Sequence, residues 1–279
     1  MSTPSDPAYG ELCHLLQRRT GIALGESRSA LVLARLSGRM RALGDTTLEN
    51  YLSRVNRDQD EVQVLINLLS TNVTSFFREA HHFEYLAQEF LPRRLAENDP
   101  DTIRIWSAAC SSGQEPYSIA MTLADQLGED RLNRFLVLAT DISTKVLAQT
   151  KQAVYPESDV ASVSKAMKLR FFERGSGGSR VSANLRGRVR PRQLNLLERW
   201  PMRKSFDVIF CRNALIYFER EVQARLARRF FDQLRPGGLL FIGHSESLNG
   251  LEQGFEYLEP TIYRRPSNQA SVSTQQRVD

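Results

Sequence analysis

Cysteine is scarce in this sequence: Cys13, Cys110 and Cys211 lie far apart, are odd in number and form no CxxC pair. That pattern excludes a disulfide framework and a cysteine-built zinc site, and it predicts a reduced, cytoplasmic protein without a metal. Long apolar runs are missing too. None approaches the ~20 residues that a membrane-crossing helix needs. The opening MSTPSDPAYG has neither a basic n-region nor an apolar h-region, so no signal peptide is expected. Lysine is also rare: 5 of the 37 basic residues are Lys and 32 are Arg. Arginine grips carboxylates and phosphates through a planar fork. The net charge of +5 and pI near 9.3 therefore leave nucleic acid, an acidic protein or ordinary surface chemistry open as its use.

What is present reads as a globular chain of 279 residues, with 41% hydrophobic and 25% charged side chains, enough for one large or two modest domains. Residues 1–70 read as an all-helical domain. YGELCHLLQRRTG stops at Gly21, and SRSALVLARLSGRMRALG runs from a Ser27 cap to Gly44. At ~100° per residue, Val32, Leu36, Met40 and Leu43 form one apolar stripe with Arg28, Arg35 and Arg39 beside it. TTLENYLSRV and DEVQVLINLLS supply two more helices. Residues 71–98 form a linker, TNVTSFFREAHHF, and a connecting helix disturbed near Pro92. From 99 to 267 the texture changes. TIRIWSAAC, RFLVLATD, FDVIFCRN and GGLLFIGHS are strand-like and alternate with helical stretches, which predicts a doubly wound α/β domain with a mostly parallel sheet. FEYLEPTIYRR reads as a closing hairpin at its edge. Between about 160 and 194, short β-like pieces separated by Gly-rich turns predict a small inserted antiparallel subdomain. Residues 268–279 are polar and are expected to be a disordered tail.

Ligands of such sheets sit at the carboxyl ends of the strands. The first turn there, WSAACSSGQEP, is rich in small residues, so a ligand can approach its backbone. Glu115 would repel a pyrophosphate but would suit an α-ammonium group. The second, LATD, places Asp141 where ribose hydroxyls are read, although an N-cap role would also suit it. A ribose reader, a small-residue turn and the lack of a phosphate signature point to S-adenosylmethionine rather than NAD. The alternative for the first turn is a tight connection with no ligand.

TNVTSFFREAHHF, IWSAACSSGQEPYSIAM, ATDIS, FDVIFCRNALIYF and GGLLFIGHSES occur in that order. With them the chain, from about Ala8 to Arg265, closely resembles the CheR family of bacterial chemotaxis receptor methyltransferases. The resemblance implies a protein-glutamate O-methyltransferase: an N-terminal helical domain, a Rossmann-like S-adenosylmethionine domain and an inserted β-subdomain. It implies that Asn72, Thr74 and Arg78 line the cofactor site, that Glu115 takes the methionine portion and Asp141 the ribose, and that Asn195 and Leu196 flank the adenine. Arg212 and Asn213 would close the site, with Tyr217 facing the transferred methyl. For the reaction itself, Arg78 can hold the substrate carboxylate through a charge-assisted pair. Gln114 stands where the family often has Glu. The product would be S-adenosylhomocysteine. The implied partners are chemoreceptors, docked on Arg28, Arg35, Arg39 and Arg41, with a C-terminal receptor peptide adding to the β-subdomain in some relatives. The enzyme would act as a monomer recruited to receptor arrays.

The chemistry needs no general base, because a glutamate with pKa ≈ 4.3 is already ionised at pH 7. Phe76 and Phe77 could exclude solvent or pack between domains. Tyr217 could equally be a structural residue. His81 and His82, adjacent on a helix, make a poor metal pair, and His244, Cys110 and Cys211 are assigned no chemistry. Two rival functions are an RNA methyltransferase, which would need aromatic platforms among the arginines, and a non-catalytic cofactor-binding sensor.

Overall fold

The computed structural model describes residues 7–23, 29–97, 99–175, 177–251 and 254–267. Arg28, the Ser27 cap and the tail at 268–279 lie outside the described residues.

The N-terminal part is a helical bundle: α1 (Pro7–Thr20), α2 (Ser29–Leu43), α3 (Leu48–Arg57) and α4 (Gln59–Leu69). Local chemistry sets the boundaries. Thr47 caps α3 by accepting from Asn50 N, and Asp58 caps α4 by accepting from the amides of Asp60 and Glu61. The stripe expected on α2 faces inward: Val32 and Leu36 are buried with Leu12, Tyr51, Leu52 and Leu65, and Met40 and Leu43 pack against them.

The connecting helix is broken as its sequence suggests. Helix α5 (His81–Tyr85) passes through a π-turn (Leu86–Phe90) into α6 (Leu91–Ala96), with Pro92 in its first turn. A proline has no N–H to give the preceding turn, and the wider π-turn takes up the mismatch.

Strand β1 (Ile103–Ala108), α7 (Gln114–Leu127), β2 (Phe135–Asp141) and α8 (Thr144–Gln152) begin the α/β domain. The excursion follows: β3 (Val154–Tyr155), α9 (Lys165–Phe171), β4 (Phe172–Gly175), β5 (Gly178–Val181) and α10 (Ala183–Arg186). The chain then returns through β6 (Val189–Gln193), β7 (Phe206–Cys211), α11 (Arg220–Gln233), β8 (Leu234–Ile242), β9 (Glu256–Glu259) and β10 (Ile262–Arg264).

Among the described residues the main sheet has seven strands in the order β6-β2-β1-β7-β8-β10-β9. Pairings through β8 are parallel, and β10 and β9 close the edge antiparallel. The small sheet is β3-β5-β4, all antiparallel. Its strands begin at Val154, ahead of the expected start of the insertion. The stretch at 189–193, expected inside the insertion, is instead the edge strand of the main sheet, paired with β2. Its Val189 is buried while Arg190 and Arg192 are exposed on either side of Pro191.

Phe76 is 2% exposed and meets Tyr155 and Phe172 edge-on at 4.9 and 5.6 Å, so it packs the linker against the small sheet. Phe77 stands edge-on to Phe83 at 5.4 Å. Charge is unevenly placed. Residues 165–192 hold nine Lys or Arg and one Glu, a local +8 against the chain total of +5, which leaves −3 elsewhere.

Candidate functional site

One cleft lies where the helical bundle meets the carboxyl ends of β1, β2 and β7. It encloses about 1090 Å³ including its open side, ample for a nucleoside-sized ligand. Its walls come from the end of α1 (Thr20, Ile22), the linker after α4, the turn after β1, Asp141, the segment after β6 and the turn after β7. Asn72, Thr74, Arg78, Glu115, Asp141, Asn195, Leu196, Arg212, Asn213 and Tyr217 all line it.

Asp141 closes strand β2. Its Oδ2 accepts from the Ser111 amide and its Oδ1 from the Ser143 amide, both at 2.9 Å. Burial pushes its pKa up, while the amides of Ser143, Ser111 and Ile142 favour the ionised form. Each oxygen retains a lone pair for a further donor such as a ribose hydroxyl. Glu115, in the first turn of α7, is also buried. Its Oε1 accepts from Ser107 Oγ at 2.7 Å and its Oε2 from Arg212 Nη1 at 3.2 Å. Burial raises its pKa, and Arg212 and Ser107 offset part of that. Gly113 precedes it at φ +100, and a Cβ there would meet Tyr155 Oη at 2.6 Å. Glycine is therefore required for this turn.

Arg78 donates from Nη1 to the Val73 carbonyl at 3.1 Å and stays half-buried at the cleft. Tyr217 lies in a 3-10 turn, and its carbonyl accepts from the Ala23 amide at 3.0 Å, which fastens the segment after α1 to the turn after β7. Asn195 spends its amide on the Arg19 carbonyl at 2.7 Å, clamping the end of α1 beside the cleft. Its neighbour Leu196 is buried. Asn72 contributes its carbonyl, which accepts from Ser111 Oγ at 3.0 Å.

Two acidic residues that sequence reasoning missed organise the site. Glu246 accepts from the amides of Gly243, Asn213 and Ile216 at 2.6, 2.9 and 3.2 Å, which fixes the turn carrying Asn213 and Tyr217. Gly243 lets this happen, since a Cβ there would sit 2.8 Å from the Asn213 amide nitrogen. Glu246 lies in the turn just past β8, in GHSES, and an acidic residue beyond the carboxyl end of a strand is the signal that could have found it. Glu79 has no such signal, because its partners are remote in sequence. Its Oε1 accepts from His244 Nδ1 at 2.9 Å and Asn213 Nδ2 at 3.3 Å, and its Oε2 lies 3.2 Å from Arg212 Nη2. Burial opposes its charge, yet His244, Arg212 and Asn213 prevail and hold its pKa at about 2. Arg212 also donates to the Arg78 carbonyl.

His82 is fully buried and its Nε2 lies 2.7 Å from Thr261 Oγ1. Burial, then the charge of Arg212, lowers its pKa to about 3, so it is neutral. Cys110 and Cys211 are buried, and burial holds both thiols well above their usual range, away from thiolate reactivity. The α2 arginines are placed less simply than a basic docking face. Arg39 forks onto Glu61 at 3.0 and 2.5 Å, and Arg35 donates to the Leu68 and Ser70 carbonyls at 3.2 and 3.4 Å at the end of α4. Arg41 is exposed.

The site residues suit S-adenosylmethionine. Asp141 offers lone pairs, Glu115 a buried carboxylate for an ammonium and Leu196 an apolar wall, within a cleft of adequate size. Comparison with known proteins agrees in kind. The family model for the CheR methyltransferase all-alpha domain matches residues 7–70, and that for the CheR methyltransferase SAM binding domain matches 72–264. The chain is 42% identical over 273 residues to the chemotaxis protein methyltransferase of Salmonella typhimurium, covering 95% of this chain and 92% of the relative. It is 45% identical over 253 residues to chemotaxis protein methyltransferase 2 of Pseudomonas aeruginosa, covering 89% of each. Its identity to the chemotaxis protein methyltransferase of Escherichia coli is 41% over 266 residues, covering 93% and 91%.

Proposed function

The chain belongs to the CheR family of S-adenosylmethionine-dependent methyltransferases of chemotaxis, and we propose that its acceptor is the γ-carboxylate of glutamates on chemoreceptor helices, converted to methyl esters. The observation that carries this reading is the convergence of Arg78 and Tyr217 on the cleft that also holds Glu115 and Asp141. A cation and a phenol beside an ammonium-and-ribose site suit an incoming carboxylate.

When bound, S-adenosylmethionine supplies a methyl group on a positively charged sulfur. Asp141 holds the ribose hydroxyls, Glu115 the α-ammonium, and Leu196 with the Asn195 backbone the adenine. Asn72 and Thr74 support the same wall. Arg78 aligns the acceptor carboxylate by a charge-assisted pair, and Tyr217 contacts the reacting centre. Too firm a grip by Arg78 would stabilise the nucleophile, so its contribution is orientation. No residue has to remove a proton. The bundle and the turn after β7 shield the cleft from water, and low polarity favours a displacement in which opposite charges cancel. Receptor docking falls to the exposed surface of α2 around Arg41 and to the small sheet, because Arg35 and Arg39 already have partners within the bundle.

Labelled S-adenosylmethionine incubated with the protein and receptor-bearing membranes should leave base-labile label on receptor glutamates. Base-stable label, or label in RNA, would overturn the acceptor assignment.

A further inference from the structure

Arg212 is shared between two carboxylates at equal distance: Glu115 Oε2 and Glu79 Oε2 both lie 3.2 Å from its terminal nitrogens. Its side chain is 2% exposed, so water contributes little screening. Glu115 lines the cleft, and Glu79 does not, standing behind Arg212 with its side chain 9% exposed. The three groups together carry one negative charge. Remove the rear carboxylate and the count changes. Arg212 would then pair with Glu115 alone, and the cleft would present a neutral ion pair where an ammonium has to bind.

Glu79 is built in at a cost. It holds φ +58, a region that a glutamate rarely adopts. Its other neighbours are His244 Nδ1 at 2.9 Å, Asn213 Nδ2 at 3.3 Å, His82 Nδ1 at 3.6 Å and Arg78 Nε at 3.9 Å. These contacts fix the carboxylate from the start of α5 and from the turns after β7 and β8. His82 is neutral in this setting. Arg212 is therefore the near, fully buried cation that Glu79 balances.

We propose that Glu79 is a positioning residue that divides the charge of Arg212 and so keeps Glu115 available to the α-ammonium group of the methyl donor. This rests on the cleft being the S-adenosylmethionine site. A residue that merely tied the loops together would affect every ligand of the cleft alike. A residue that offsets the charge of Arg212 beside Glu115 affects ligands that carry the ammonium and spares those that lack it.

Calorimetry with S-adenosylhomocysteine and with 5′-methylthioadenosine, which lacks the amino-acid end, separates the two. Glu79→Gln keeps the size and removes the charge. It should bind S-adenosylhomocysteine at least tenfold more weakly than wild type and methylthioadenosine within about twofold. Unchanged affinity for both, or an equal fall for both, overturns the role. Should Glu79→Gln fold poorly, Glu79→Asp against Glu79→Asn repeats the comparison with residues that tolerate positive φ, and the same two results decide it. Wild type that binds neither ligand would sink the cofactor assignment itself, a separate outcome.

Discussion

Phe77, Glu79, Ala109, Ser111 and Asn213 all hold left-handed backbone angles, with φ between 50° and 64°. Each conformation costs on the order of 1 kcal/mol for a residue with a Cβ. All five sit in the linker and the turns that build the cleft, so stability is given up there to aim side chains. Arg78 follows from that arrangement. Arg78→Ala should lower kcat by on the order of 10²-fold with a smaller effect on S-adenosylhomocysteine affinity; normal turnover in a methylation assay would remove its aligning role. Asp141→Ala should weaken S-adenosylhomocysteine binding about 10–100-fold, the range for losing hydrogen bonds to a charged acceptor, and calorimetry checks this. His82 gives a pH signature. Its folded pKa lies near 3, below the ordinary 6.5, so the unfolded chain binds the proton more readily. The stability it contributes is complete above about pH 6.5 and is lost as pH falls toward 3. Wild type should therefore lose more melting temperature between pH 7 and 5 than His82→Gln does. That Asp141 and Glu115 line the cleft could be read from the strand-end turns that carry them, and that Arg78 does so from the family resemblance. Glu79 could not be read, because its meaning lies in Arg212 and His244, which arrive from other strands.

Helices with capping residues and apolar stripes, and strands with continuous apolar runs, could be read from the chain directly. The bundle and the alternating strands show this. Strand β6 could not, because VRPRQ is short, has no apolar run and carries a proline, and its place is decided by β2 and by the burial of Val189. The short helices α9 and α10 were hidden for a similar reason, among glycines and arginines that favour no single element. Helix α2 shows how a basic face can mislead. Arg39 serves Glu61, whose side chain is 4% exposed and which also accepts from Tyr51 Oη at 2.9 Å. Arg39→Ala should therefore destabilise the bundle by roughly 2 kcal/mol, discounted for the partial exposure of the arginine. Arg41→Ala should leave the thermal melt unchanged. Equal melts for the two variants would show that the Arg39–Glu61 pair is energetically idle.

The cleft is assembled by both halves of the molecule, from Thr20 and Ile22 on one side to Glu115 and Asp141 on the other. Amides bind the halves together as well: Asn67 Nδ2 donates to Thr144 Oγ1 at 2.9 Å, and Gln63 Nε2 to the Ile142 carbonyl at 3.1 Å, beside Asp141. Ligand should thus stabilise the whole chain. At a hundredfold excess over Kd, S-adenosylhomocysteine should add about 2.7 kcal/mol, seen in calorimetry as an upward shift of one transition. A bundle transition that melts separately at an unshifted temperature would show that the halves are uncoupled. The crowding of positive charge into residues 165–192 acts over longer distances. With +8 there and −3 elsewhere, the protein is an electric dipole as well as a cation. In the field of any large anion it experiences a torque before contact, so that collisions begin with the arginine-rich flank leading, and added salt should randomise that approach within a Debye length of about 10 Å at 0.1 M.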